Sequence, residues 1–396
     1  MNFKDYFEPV DLPVIHEFNS LKSGDLKSDI EVYFKKDVFP DLEKAKICLI
    51  GVPEERNAQN NIGTAQAPDA LRSELYKLKT PWKNLHVVDM GNLKQGHSVN
   101  DTYAGLRIVM EELLKSDKII ILLGGGQDLT YANYRAYQEQ GRIVNLLSID
   151  PEFDLGDDHS EITNKGFLSK IILEQPNALF NYTNLGYQTY YVNQEDITLM
   201  DRMYFDIYRL GSVRHKRKKI EPLLRNSDIV SFDVSAIRMI EAPGNANAGP
   251  NGFDGFDACQ IARYAGLSNK VSSFGVYEYN PQFDVRNQTA KLMAQVIWYF
   301  LEGCSQRIDD DPNQSTNNYQ KFYVKLTDDN EDFAEELLFY KNIYSGSWWM
   351  EIPVTLVDQR TANRKPFLIP CAERDFEKAK ENQIPERWFQ FYKKMV

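Results

Sequence analysis

Short apolar runs recur along the chain, each closing on Gly, Asp or Pro: KICLIGVP (46–53), LHVVDMG (85–91), KIIILLGGG (118–126) and RIVNLLSID (142–150). YFDIYRLGS (204–212), DIVSFDVSAI (228–237) and VSSFGVYEY (271–279) continue the series. Ile, Val and Leu occupy both alternating faces of these runs, the pattern of strands buried on both sides of a parallel sheet. Helical periodicity lies between several of them. In DTYAGLRIVMEELLKSD, Leu106, Val109, Met110, Leu113 and Leu114 share one face. In QTAKLMAQVIWYFLEG, Leu292, Val296 and Phe300 do the same, and Gly303 is expected to close the helix. Strands alternating with helices predict a doubly wound α/β fold, a mostly parallel sheet with helices on both faces.

The pattern also divides the chain. Residues 1–44 read as an N-terminal extension and 45–307 as the α/β domain. The polar, acidic stretch IDDDPNQSTNNYQ (308–320) reads as a loop. Residues 321–396 read as an aromatic-rich appendage packed on the main sheet, with one more strand at Trp348–Val354. Trp348, Trp349, Trp388 and Phe389 are expected to anchor packing rather than form a ligand platform. No internal repeat is present.

Composition narrows the function classes. A formal net charge of −11 disfavours nucleic acid or an anionic membrane as the main partner. Cys48, Cys259, Cys304 and Cys371 are widely spaced and form no CxxC pair, so reduced structural thiols and a cytoplasmic setting are expected. The N-terminus shows no basic-then-apolar signal pattern. No apolar run approaches the ~20 residues of a membrane helix.

In open α/β sheets, ligands bind beyond the carboxyl ends of the strands. Those ends carry Gly124, Gly125, Gly126, Gln127 and Asp128; then Asp150, Glu152 and Asp154; then Asp233 and Ser235; then Glu278 and Asn280. Pro151 favours an extended backbone at Asp150, and residues two apart on extended chain point the same way. Asp150, Glu152 and Asp154 are therefore expected to converge, with Asp233 completing the cluster. Neighbouring carboxylates need protons or cations between them, and a hard metal ion with oxygen ligands is the natural candidate. Asp157 and Asp158 read as solvated residues or helix caps. GGGQD lacks both dinucleotide-binding glycine spacing and a P-loop lysine.

Several stretches, in order, resemble the arginase/agmatinase/formimidoylglutamase family, the ureohydrolases. IGVPEERNAQNNIGTAQAPDALR (50–72) resembles the family's opening strand and ALR segment, and LLGGGQDLTYA (122–132) stands where the family has Gly-Gly-Asp-His-Ser. SIDPEFD (148–154) stands at Asp-Ala-His-x-Asp, SFDVSAI (231–237) at Ser-x-Asp-x-Asp, and YEYNPQFD (277–284) at Glu-x-Asn-Pro. EAPGNANAGPNG (241–252) resembles the intervening Pro/Gly loop.

The resemblance implies an arginase-like three-layer fold. It further implies metal-dependent hydrolysis of a C–N bond in a linear amidine, with a manganese pair generating hydroxide. Position by position, the metal sites become Gln127, Asp150, Glu152, Asp154, Asp233 and Ser235. Both family histidines are replaced, by Gln127 and Glu152, and one aspartate by Ser235. The formal charge of the set stays at −4, from Asp150, Glu152, Asp154 and Asp233. An all-oxygen set suits one Mg, Ca or Mn ion, or none, better than a manganese pair. Asp128 offers a substitute ligand if the backbone shifts.

The resemblance gives catalytic parts to Asp150 and Glu278, with Glu278 gripping the cationic amidine. Asn280 and Lys165 are expected as further substrate contacts. His97, His159 and His215 read as residues of polar loops; His16 and His86 suggest nothing. The expected partners are a small cationic amidine-type substrate and further copies of the chain. The alternative is a catalytically inactive member of the fold serving as a binding, scaffold or regulatory protein.

Overall fold

The computed structural model describes residues 1–11, 25–34, 38–82, 85–156, 162–215, 220–312, 317–326, 336–357 and 364–395. Asp157, Asp158 and His159 of the sequence reading, and His16, lie outside the described residues.

A ten-stranded sheet forms the main body. Its strands are β1 (Phe7–Glu8), β2 (Ile30–Val32), β3 (Ile47–Gly51), β4 (Val87–Leu93) and β5 (Ile119–Leu123), then β6 (Val144–Ile149), β7 (Leu179–Tyr187), β8 (Asp206–Arg209), β9 (Ile229–Asp233) and β10 (Ser273–Tyr277). The order is β1-β4-β3-β5-β10-β9-β6-β7-β8, with β2 also on β4. The pairings are parallel except β1 on β4.

Alternation assigns each strand residue to one of two cores. Along β5, Ile119, Ile121 and Leu123 join one cluster and Ile120 and Leu122 the other. The first cluster is closed by helices Ala67–Leu75, Gly255–Leu267 and Gln288–Ser305, the second by Val99–Lys115, Leu129–Glu139 and Phe167–Leu173. The result is a three-layer α/β/α fold. All four cysteines are buried and free. Among the described residues, no helix is long and apolar enough to cross a membrane.

Several features differ from the sequence reading. The N-terminal extension supplies β1 and β2 to the sheet. β7, LFNYTNLGY, has buried polar residues where the pattern demanded aliphatics; Asn181 spends its amide on Thr183 and Asp206, and Asn184 on the Glu152 carbonyl. Gly303 does not end its helix, which runs on to Ser305. Instead it faces Gly266: a Cβ at Gly303 would lie 2.5 Å from the Arg263 carbonyl oxygen and 2.9 Å from the Gly266 Cα. The two helices touch backbone to backbone, an approach only glycine permits. His215 ends the helix Leu210–His215 rather than lying in a loop.

The C-terminal segment forms its own four-stranded antiparallel sheet, β11 (Tyr319–Lys325), β12 (Glu336–Asn342), β13 (Trp348–Val357) and β14 (Arg364–Cys371), rather than one added strand. Two helices, Glu373–Lys380 and Glu386–Met395, cover it. Trp348, Met350, Trp388 and Phe391 fill its core, with Phe389 packed alongside. Trp349 faces the other side, beneath the Arg225 guanidinium at 4.8 Å. Arg225 also donates to the carbonyls of Trp348 and Cys371, and Phe180 of β7 packs into the small core, so the second sheet is fastened to the first.

Candidate functional site

The carboxyl ends of β5, β6, β9 and β10 lie side by side in the sheet order, and the residues that follow them meet. Asp150, Asp154, Asp233 and Glu278 are 1%, 4%, 1% and 2% exposed, and Gln127 is fully buried. Local geometry aims each of them. Asp150 Oδ1 accepts from the Glu152 amide at 2.8 Å, and Asp233 Oδ1 from the Ser235 amide at 2.6 Å. Each strand-end aspartate thus spends one oxygen on the N–H two residues ahead, the Asx turn that bends the chain away from the sheet.

Asp150, Glu152 and Asp154 therefore do not project from extended chain as the sequence suggested. The backbone bends after Asp150, and Asp154 sits in the left-handed region at φ 52°. Glu278 does the same at φ 64°. Left-handed backbone at non-glycine residues is uncommon and concentrates at functional sites. The preceding Gly124–Gly126 turn runs against Glu54, whose carbonyl oxygen would lie 1.8 Å from a Cβ at Gly125.

Glu278 is held by two donors: the Gln127 amide to Oε1 and Asn61 Nδ2 to Oε2, both at 2.8 Å. Asn61, in the loop after β3, is a site residue that the sequence reading missed; nothing in the local motif marks it. Asn280 is placed differently from the substrate contact expected of it. Its Nδ2 donates to Asn61 and to the Ile62 carbonyl, and its Oδ1 accepts from the Gln282 amide, so both ends brace loops. Asp128 is buried but turned away, its Oδ2 accepting the Tyr103 hydroxyl at 2.6 Å. That contact uses one carboxylate oxygen; Oδ1, also buried, has no hydrogen-bond partner. His97 is exposed on the surface.

Burial dominates the electrostatics. It pushes the Asp150 carboxyl well above the ordinary range, with Asp154 and Asp233 adding to the effect. Asp154 is raised by burial against the opposing pull of Lys165. Burial lifts Asp233 to about 6 and, helped by Asp233, Glu278 to about 8. Crowded buried carboxylates favour shared protons and nearby cations.

The cation within reach belongs to the chain. Lys165 Nζ lies 3.1 Å from Glu152 Oε1 and 3.4 Å from Asp154 Oδ1. Asp154, Asp150, Asp233 and Glu152 together outweigh the burial that would discharge it, and its pKa rises. Lys165 thus faces the protein's own carboxylates.

Fit to a divalent metal is poor. Gln127 turns its Nε2 to Ser231 Oγ at 3.2 Å, no histidine stands at either expected position, and Lys165 already occupies the acidic group. Among the described residues, no group of three His, Cys, Asp or Glu side chains is arranged to hold a metal ion. Several buried oxygens nevertheless have no protein donor of good geometry: Gln127 Oε1, Ser235 Oγ and both carboxylate oxygens of Asp154. A cavity of about 650 Å³ opens nearby, lined by Asn57, Tyr103, Arg107, Tyr131, Arg135 and Lys170 among others, and takes no wall from the acidic centre.

A parallel sheet with acidic and polar residues gathered at its carboxyl edge defines an α/β protein with its ligand site at the strand ends. The arginase family model matches residues 45–302, and the chain belongs to that family. Formimidoylglutamase of Staphylococcus haemolyticus is 27% identical over 273 residues, 65% of this chain and 86% of the relative. That of Streptococcus gordonii is 26% identical over 289 residues, 67% of this chain and 86% of the relative. Among solved structures, formiminoglutamase of Trypanosoma cruzi with manganese superposes with a TM-score of 0.62 at 18% identity, covering 68% of this chain and 96% of that one. Formimidoylglutamase of Bacillus subtilis gives 0.63 at 17%, covering 74% and 99%. These last two likenesses concern the fold.

Proposed function

We propose that the chain is a formimidoylglutamase-like hydrolase whose acidic centre receives the cationic N–C–N group of a small linear amidine for cleavage of a C–N bond. The observation that carries this reading is the pair of buried oxygens without a hydrogen-bond partner, Gln127 Oε1 and Ser235 Oγ, beside the crowded carboxylates of Asp150, Asp154, Asp233 and Glu278. A buried acceptor without a donor costs about 1–3 kcal/mol. An amidinium supplies N–H donors and positive charge together, which is what such a set lacks. Asp150 and Glu278 supply carboxyl oxygens to accept from the amidinium, and Asn61 holds Glu278 in place.

Manganese belongs to the solved Trypanosoma cruzi relative. The residues of this chain do not fit that ion.

The test is release of formamide from formiminoglutamate, alongside urea from arginine and agmatine. Formamide is the expected product. Glu278→Gln and Asp150→Asn should each lower the rate by about a hundredfold, the scale of a removed acid–base or charge-stabilising group. No product from any of the three substrates would refute the hydrolase reading. Lys165 inside the centre favours a second reading, in which the chain binds an amidine without turning it over. Saturable binding of agmatine without urea release would select it.

A further inference from the structure

We infer that the side-chain ammonium of Lys165 is the resident cation of the acidic centre, standing where the family resemblance calls for a divalent metal. The inference rests on the centre described above and goes beyond the reaction proposed for it.

Three observations carry it. The first is contact: Nζ reaches Glu152 at 3.1 Å and Asp154 at 3.4 Å, and only a quarter of the lysine side chain is exposed. The second is anchorage. Asn164, itself 1% exposed, ties the lysine's loop to the segment after β3: its amide N–H donates to the Asn57 carbonyl at 3.1 Å and its Oδ1 accepts from the Gln59 amide at 3.0 Å. On the other side, the Leu168 amide donates to the Asp154 carbonyl at 3.2 Å, locking loop and acidic segment together. The backbone of Lys165 is thus fixed at both ends, unlike that of a solvated surface lysine. The third is the donor set. Gln127 and Ser235 replace charged or imidazole ligands with neutral oxygens, which bind a transition metal weakly but tolerate a nearby ammonium.

A covalently tethered cation never dissociates. An incoming divalent ion would have to break both lysine ion pairs and overcome the repulsion of a like charge a few ångströms away. Lys165 therefore excludes the metal as well as replacing it. The carboxylates still outnumber the lysine, so room for a cationic ligand remains.

The experiment uses the full chain. Protein stripped with EDTA is incubated with manganese chloride, gel-filtered and analysed for metal, and its melting midpoint is followed with and without manganese. No stoichiometric manganese and an unchanged midpoint are expected. Lys165→Ala should melt lower than wild type in EDTA and recover on adding manganese, with at least about tenfold tighter manganese binding than wild type, a conservative share of the repulsion removed. Lys165→Met, which keeps the alkyl stem, serves if the alanine variant fails to fold. Wild-type protein that retains manganese through gel filtration overturns the inference, as does a lysine variant whose response to manganese matches wild type. Formamide release is assayed separately. An inactive chain that excludes manganese sinks the hydrolase reading and leaves Lys165 standing; an active chain that binds manganese does the reverse.

Discussion

Arg72 shows what a single buried charge does here. Its guanidinium, fully buried, donates to Asp89 at 2.8 and 2.9 Å and to the Gly91 carbonyl at 2.9 Å, while the Tyr76 hydroxyl donates to the same carboxylate at 2.7 Å. Removing one partner leaves the other charged and dry. Arg72→Met should lower the unfolding free energy in urea by about 3–5 kcal/mol. In the acidic centre the same logic runs with the signs reversed, because carboxylates outnumber cations. Asp150, Asp154 and Asp233 were legible from sequence because strand ends announce themselves through apolar runs closing on acidic residues. Their exact aim was not: it depends on Asx turns at Asp150 and Asp233 and on left-handed backbone at Asp154. Lys165 was visible only as a lysine near the right place. It arrives from the far end of the loop that follows Asp154, and nothing local says which way that loop returns.

Secondary structure was most legible where burial is simplest. β3 and β5 are apolar on both faces, and β6, β9 and β10 carry only one or two small polar residues among apolar ones, so periodicity finds them. β7 escaped because Asn181 and Asn184 are satisfied in part by Asp206 and Glu152, partners far along the chain. Gly303 was misread because a glycine near a helix end looks like a terminator, whereas its need comes from Gly266 on another helix. Gly303→Ala should therefore destabilise by about 1–3 kcal/mol through overpacking, read from the shift in melting midpoint. The last helix makes a separate prediction. Burial lowers the Lys394 pKa to about 8, against an opposing pull from Asp206. Below about 8 the lysine is protonated in both states. Between about 8 and its ordinary 10.5 the unfolded chain holds a proton that the folded chain has released. Stability should then rise with pH across that window. Lys394→Met should flatten that slope in pH-dependent denaturation.

The whole chain joins an arginase-family body to a smaller antiparallel sheet beyond the matched stretch of residues 45–302. Composition alone marked residues 321–396 as different, but not that they hold four strands and a core of their own, since their pairings link segments separated by loops. Arg225 is one fastening, beside Phe180. Arg225→Ala should release two carbonyl contacts and the Trp349 stack, costing about 1–3 kcal/mol of docking and raising protease sensitivity in the C-terminal sheet first. At this scale the protein keeps the family's architecture and its demand for positive charge, and meets part of that demand from its own chain. The most direct test is anomalous diffraction at the manganese edge from crystals soaked in manganese chloride. The account predicts Lys165 Nζ against Glu152 and Asp154 with no anomalous peak among Asp150, Asp154 and Asp233. A strong peak there, with the lysine swung out to solvent, would contradict it.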